Sequence, residues 1–267
     1  THSVYLDHQT HMTSTSIIDT HCHLDFEAFD KDRQQVIARA RNNNVSHIIV
    51  PATQKNNWES IQDLCATDDC LHACYGLHPY WTDSHTSDDI EALQQWASVD
   101  NCVGIGECGL DYREGQADKH QQLNLFEAQL HIATEKRLPI VIHSINATED
   151  VINLIKKYPG CTGKIHSFSG SYQQAQQLID LGFYISFGGT ITYKNASKHR
   201  HTASTIPLSA LMVESNAPDQ PDSTHQNERN EPAYITTVLK CLSELRDEGI
   251  EAITEQSTLN AKLLFRI

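Results

Sequence analysis

Several common signatures are absent from this sequence of 267 residues, and each absence excludes a class of protein. The eight cysteines are scattered without the paired CxxC spacing of a zinc module, so we interpret them as reduced thiols rather than a disulfide framework. No apolar run approaches the roughly 20 residues of a membrane span. No charged start followed by an apolar core indicates a signal peptide. We therefore expect a cytoplasmic protein that does not enter the membrane.

Basic residues are also few, because 20 Lys and Arg stand against 34 Asp and Glu, which gives a formal net charge of −14. This balance argues against broad electrostatic attraction to nucleic acid. A nucleic-acid substrate would therefore need positive charge concentrated at one place on the surface.

The first eleven residues, THSVYLDHQTH, show neither apolar periodicity nor a helix cap, and the His-Met pair that follows resembles a cloning junction. We interpret residues 1–11 as the remnant of an expression tag. Residues 12–267 are then expected to form a single domain.

Short apolar segments alternate with longer amphipathic ones from residue 17 onward. The apolar segments predict eight strands, at 17–19, 47–52, 72–77, 103–107, 139–144, 164–168, 183–189 and 210–214. Apolar residues at spacings of three and four predict helices at 32–43, 57–66, 88–98, 120–137, 148–158 and 172–182. Near-continuous apolar strands alternating with helices indicate parallel pairing, which places the chain in the α/β class as a (β/α)8 TIM barrel. A doubly wound open sheet is less favoured, because no glycine-rich phosphate-binding fingerprint follows the first strand. The polar stretch 222–233 is predicted to be an active-site loop ahead of the last helix.

Polar side chains end several of these apolar runs. A buried imidazole or carboxylate would cost several kcal/mol without a partner or a metal ion. Residues at i and i+2 share one face of a strand, so His21 and His23 are expected to point the same way. Because barrel sites lie at the C-terminal ends of the strands, we predict a metal site there. Its candidate ligands are His21, His23, Glu107, His143, His166 and Asn216.

Four histidines and a bridging carboxylate are enough to hold two divalent ions, roughly 3.5–4 Å apart in such sites. Imidazole favours zinc, whereas oxygen ligands suit magnesium or manganese, so the ligand types leave the metal open. Asp19 and Asp25 lie near the histidine pair in sequence and are expected to orient its rings.

Eight ordered motifs resemble the TatD-related metal-dependent deoxyribonucleases, over residues from about 17 to 265. They are DTHCHLDF, YGLHPYW, GIGECGLDYR, PIVIHS, HSFSGS, GFYISFGGTIT, VESNAPDQP and RNEPAYI. The resemblance implies that His21 and His23 bind one metal ion and that His143 and His166 bind the other. It also implies that the Glu107 carboxylate bridges the two ions.

The resemblance implies further roles. Asn216 occupies the position of a family aspartate that binds metal and handles the proton of the attacking water, so Glu107 and residue 216 are the catalytic candidates. His78, Asp111 and Tyr112 match motifs that line the cleft, with a packing role as the alternative. Arg113, Lys194, Lys198 and Arg200 are the nearest basic candidates for contacting substrate.

Three departures from the family pattern bear on activity: Asn216 replaces an aspartate, Ile145 stands where an arginine is usual, and Tyr80 stands where a second histidine is common. The resemblance implies a hydrolase of phosphodiester bonds, a deoxyribonuclease acting on DNA ends, impaired by Asn216, and we expect a monomer. One alternative is a dinuclear esterase or amidase, for example on an aminoacyl ester of RNA. Another is a degenerate barrel that binds metal or nucleic-acid ends without turnover.

Overall fold

One parallel sheet organises the chain. The computed structural model describes residues 15–267, so the interpretation of residues 1–11 as a tag remnant lies outside the described residues. Each strand pairs in parallel with the strand that follows it in sequence. The strands are β1 (Ile17–Asp19), β2 (Val45–Pro51), β3 (Leu71–Tyr75), β4 (Cys102–Asp111), β5 (Ile140–Ile145), β6 (Gly163–Ile165), β7 (Phe183–Phe187) and β8 (Leu211–Val213).

The sheet curls until its last strand lies beside its first. The backbone N–H and the hydroxyl of Thr20 both donate to the carbonyl oxygen of Val213, at 3.3 and 2.8 Å. The N–H of Asn216 donates to the carbonyl oxygen of His21 at 2.8 Å. The result is a nearly closed (β/α)8 barrel, which confirms the predicted fold class.

Helices surround this barrel. Those in the described residues are α1 (Arg33–Asn42), α2 (Trp58–Ala66), α3 (Ser87–Trp96), α4 (Lys119–Lys136), α5 (Thr148–Ile155), α6 (Tyr172–Asp180), α7 (Ser197–Thr205), α8 (Ile235–Leu245) and α9 (Ile250–Phe265). The first six confirm the predicted helices to within three residues at each end. The expectation of one last helix after the loop 222–233 is wrong, because α8 and α9 both follow it. None of the helices found in residues 15–267 is long and apolar enough to cross a membrane.

Alternation along the strands divides the core into two layers. Ile48 and Val50 of β2 pack with the apolar faces of the helices, whereas Ile49 between them points into the barrel. The interior layer also receives Leu264 and Phe265 from the end of α9. Residues from the end of the chain therefore complete the interior of the barrel.

The strands end at different points relative to the predicted ligands. β1, β6 and β8 end before His21, His166 and Asn216, so these residues lie in the loops that leave the sheet. Glu107 and His143 lie within β4 and β5. Since all strands are parallel, these loops and strand ends emerge on one face of the barrel, as the metal-site prediction requires.

We expect Gly109→Ala to lower the free energy of unfolding by about 2–4 kcal/mol. Gly109 of β4 has a φ of +138°, and an added Cβ would collide with the carbonyl oxygen of His143. The control is Gly249→Ala, since a Cβ there meets no atom within 4 Å. Denaturant unfolding measures both variants, and equal stability of the two would contradict this account of the β4–β5 contact.

Candidate metal centre

The centre of the candidate site is the carboxylate of Glu107, which is only 1% exposed. Five imidazole nitrogens surround it, and they divide between its two oxygens. Oε2 lies 3.0 Å from His21 Nε2 and 3.1 Å from His23 Nε2. Oε1 lies 3.0 Å from both His78 Nε2 and His143 Nδ1, and 2.8 Å from His166 Nε2. We call these five histidines and Glu107 the ligand cluster.

The spacing within the ligand cluster fits a divalent metal ion. His21 Nε2 lies 3.2 Å from His23 Nε2, and His143 Nδ1 lies 3.3 Å from His166 Nε2. Ligand atoms that each bind one zinc ion at about 2.0–2.2 Å are separated by roughly 3–3.5 Å, so nitrogens and oxygens at these distances can share an ion. Two compatible triads contain Glu107, one with His21 and His23 and the other with His78 and His143.

Burial and mutual contact set the charges of these groups. Burial alone would raise the pKa of Glu107, but His166, His78 and His21 hold that pKa well below its ordinary value. Burial lowers the pKa of His21 to about 3 and that of His78 to about 4. Both imidazoles are therefore neutral near pH 7. His21 Nδ1 has no hydrogen-bond partner in the described residues, so it can carry the ring proton and leave Nε2 free to bind a metal ion. His78 Nδ1 accepts a hydrogen bond from the Tyr80 N–H, so the proton of this ring lies on Nε2, which donates to Glu107.

His166 behaves differently from these two histidines. Burial opposes its protonation, but the carboxylates of Glu107 and Glu214 outweigh that effect and raise its pKa to about 9. A metal ion at His166 Nε2 must therefore displace a proton, and binding there should release one.

Four of the five histidine rings contact a partner through their second nitrogen, and for His78 that partner is the Tyr80 N–H, which donates to Nδ1 at 3.0 Å. His143 Nε2 lies 2.9 Å from Asp111 Oδ2, and His166 Nδ1 lies 3.3 Å from Glu214 Oε1. His23 Nδ1 lies 3.2 Å from the carbonyl oxygen of Pro51. Such partners fix the ring orientation and the tautomer of metal-binding histidines.

The expectation that Asp19 and Asp25 orient the rings of His21 and His23 is wrong. Asp19 instead accepts hydrogen bonds from the backbone N–H groups of His21 and Ser215, at 3.2 and 2.9 Å, so it joins the β1 and β8 loops. Asp25 accepts a hydrogen bond of 3.0 Å from the side chain of Asn57.

A buried ion pair beneath the ligand cluster is absent from the sequence-based predictions. Lys164 Nζ donates to Glu214 Oε2 at 2.8 Å and to the carbonyl oxygen of Thr20 at 3.0 Å. Glu214 Oε1 in turn accepts from the Ser167 N–H at 2.7 Å and contacts His166. The sequence does contain a signal for it, because Lys164 precedes His166 by two residues and so faces the same way within the strand pattern KIHSF.

The ligand cluster opens into a cleft of about 480 Å³, which Asn216, Arg113 and Asp219 also line. Asn216 has a φ of +57°. Arg113 lies at the mouth of this cleft and donates through Nε to Asp111 Oδ1 at 2.9 Å. Asp111 itself is buried behind His143, so it positions that ring rather than meeting a substrate directly.

The remaining predicted substrate residues lie elsewhere. The Tyr112 hydroxyl donates to Asp150 at 2.8 Å, and Tyr112 and Lys198 line a neighbouring groove instead of the metal cleft. Arg200 donates to the carbonyl oxygen of Ile191 at 2.7 Å, which is a structural contact. Lys194 is exposed and does not line the metal cleft.

A TIM barrel with clustered histidines around a carboxylate at the ends of its strands defines a metal-dependent hydrolase. The chain belongs to the TatD family: the model of the family described as TatD related DNase matches residues 18–266.

Similar proteins match this chain over nearly its whole length. The uncharacterized metal-dependent hydrolase YjjV of Escherichia coli strain K12 is 36% identical, over 94% of this chain and 98% of its own. YabD of Bacillus subtilis, also an uncharacterized metal-dependent hydrolase, is 34% identical, over 94% of this chain and 99% of its own. The crystal structure of the YjjV TatD homologue superposes with a TM-score of 0.89 and covers 94% of this chain and 98% of that chain.

We predict that Glu107→Ala lowers metal occupancy more than the loss of any single histidine, because only this carboxylate reaches both halves of the ligand cluster. The measurement is elemental analysis after equilibration with zinc or manganese, with His143→Ala as the comparison and the exposed Glu255→Ala as the control. Full occupancy of the Glu107→Ala protein would show that the carboxylate is not a shared ligand.

Lys164→Met alone and Glu214→Leu alone should each destabilise the fold by about 3–5 kcal/mol, because each leaves a buried charge without its partner. The double variant Lys164→Met/Glu214→Leu should lower the free energy of unfolding by clearly less than the sum of the two single losses. Urea unfolding gives the three values, and strict additivity would mean that the ion pair does not couple these residues.

Proposed function

We propose that this protein hydrolyses phosphodiester bonds at DNA ends with two divalent ions held in the ligand cluster. The observation that carries the proposal is that the two carboxylate oxygens of Glu107 face different histidines. Oε2 faces His21 and His23, whereas Oε1 faces the other three histidines of the ligand cluster. Two divalent ions in such a site supply Lewis-acid polarisation of phosphoryl oxygens and a more acidic water. Zinc, manganese and magnesium are all compatible with this ligand set.

The protein's own groups would bind and orient the substrate phosphate. Arg113 is the one arginine or lysine that lines the cleft in the described part of the chain, and its guanidinium is about half exposed. Ile145, at the position where an arginine is usual, also lines the cleft and brings no charge. Recognition of an anionic substrate therefore depends on Arg113 and the metal ions, in a chain with a net charge of −14.

Residue 216 limits the expected rate. An asparagine amide can offer an oxygen to a metal ion, but it cannot accept a proton from water as an aspartate can. Glu214 cannot substitute, since its oxygens already accept from Lys164, Ser186 and the Ser167 N–H. Asp219 lines the same cleft and is the remaining carboxylate to test there.

We expect Asn216→Asp to raise the rate of phosphodiester hydrolysis by at least about tenfold, within the 10²–10⁴ range typical of general acid–base catalysis. Initial rates on an aryl phosphodiester and on short DNA, at equal metal loading, measure this. Asp219→Asn is made both in the unaltered protein and in the Asn216→Asp variant. If Asp219 accepts the proton when residue 216 is asparagine, Asp219→Asn should lower the rate of hydrolysis only in the protein that retains Asn216.

Equal rates for the unaltered protein and the Asn216→Asp variant, with no effect of Asp219→Asn, would mean that residue 216 does not handle the proton. A parallel screen of aryl esters and amides tests the alternative hydrolytic hypothesis for the same centre. Hydrolysis of esters but of no phosphodiester by the Asn216→Asp protein would overturn the proposed function.

A further inference from the structure

An exposed aromatic ring stands at the mouth of the metal cleft. Tyr80 is 54% exposed and is one of three exposed large apolar side chains in the described residues. The other two, Leu259 and Leu263, lie on the outer surface of α9, whereas Tyr80 lines the cleft together with the ligand cluster. Its hydroxyl makes no hydrogen bond within residues 15–267, so this group is free to meet solvent or a ligand.

The backbone holds this ring close to the ligand cluster. The N–H of Tyr80 donates to His78 Nδ1 at 3.0 Å, and His78 Nε2 contacts Glu107. The Tyr80 ring meets Trp81 edge to face, with centroids 4.8 Å apart and an interplanar angle of 66°. Trp81 meets the His78 ring in the same manner, with centroids 5.4 Å apart. Tyr80 is therefore positioned by one edge contact and one backbone hydrogen bond, while much of its surface is free.

The neighbouring side chains combine aromatic surface with positive charge. Phe26 stacks on His23 with centroids 4.6 Å apart, and both Phe26 and Trp81 line the cleft. The Arg113 guanidinium lines it as well. An aromatic ring beside a cation suits a nucleotide, since the base can stack on the ring while the phosphate meets the charge.

We propose that Tyr80, supported by Trp81, is a stacking platform for an unpaired nucleobase next to the scissile phosphate. This inference rests on the proposed function and adds a determinant of substrate choice. A paired base inside a duplex has both faces covered by its neighbours, so only a frayed, terminal or single-stranded base could reach the ring. Stacking tolerates any base, so the platform would select for the presence of a base rather than for sequence.

Binding tests the platform without requiring turnover. The probe is a fluorescent DNA hexamer with phosphorothioate linkages, compared with the same strand carrying a tetrahydrofuran abasic residue at its end, in the presence of manganese. Tyr80→Ala should weaken binding of the base-bearing strand about tenfold, and by at least about fivefold more than binding of the abasic strand. Tyr80→Phe, which keeps the ring, should stay within about twofold of the unaltered protein, as should the surface control Leu263→Ala.

Cleavage supplies the second arm, with unmodified strands and the Asn216→Asp protein. Tyr80→Ala should lower kcat/KM for the base-bearing strand by at least about fivefold more than for the abasic strand. If Tyr80→Ala affected base-bearing and abasic strands equally, or affected neither, the stacking role of Tyr80 would be wrong. The proposal of phosphodiester hydrolysis would not be affected by that result. Absence of cleavage of every strand would instead count against the proposed function, and the binding ratio would still decide the role of Tyr80.

Discussion

One buried carboxylate in contact with five imidazoles organises the metal-facing end of this barrel. Glu107 is held at the strand ends with its oxygens within 2.8–3.1 Å of nitrogens from four separate loops or strands. Such a concentration of potential ligand atoms around one buried carboxylate suits divalent metal ions held at its two oxygens. The barrel supplies the rigidity that keeps these groups converged, because parallel strands bring the loops to one face.

A layer of polar contacts beneath the ligand cluster transmits that rigidity. Asp111 holds His143, Glu214 holds His166, and Lys164 neutralises Glu214 inside the barrel. Asp19 joins the loops after β1 and β8 through backbone groups. The metal-facing residues are therefore positioned by groups that never meet substrate, which leaves the cleft side of the site free for Asn216, Arg113 and the aromatic residues.

The barrel and most of the ligand cluster can be predicted because each strand and its polar end are encoded by a few consecutive residues. A short apolar run that stops at a polar residue, as at His143, reveals both a strand and its functional end. The sequence places His78 in the cleft but not among the ligands, since it follows the end of β3 by three residues and reaches Glu107 through a loop. The ring-orienting partners escape prediction because proximity in sequence, as for Asp25, does not decide which distant residue a ring will meet. Tyr112, for which the sequence left a cleft-lining or a packing role open, lines a neighbouring groove, since side chains alternate along the strand and Asp111 beside it faces inward.

Anomalous diffraction from crystals of the intact protein grown with manganese or zinc shows directly whether Glu107 is shared between two metal ions. Data on either side of the metal absorption edge would identify the ion and locate it independently of activity. We expect two anomalous peaks, one beside each oxygen of Glu107, with His21 and His23 at one and His143 and His166 at the other. A single peak, or peaks away from Glu107 at saturating metal, would contradict a carboxylate shared between two ions.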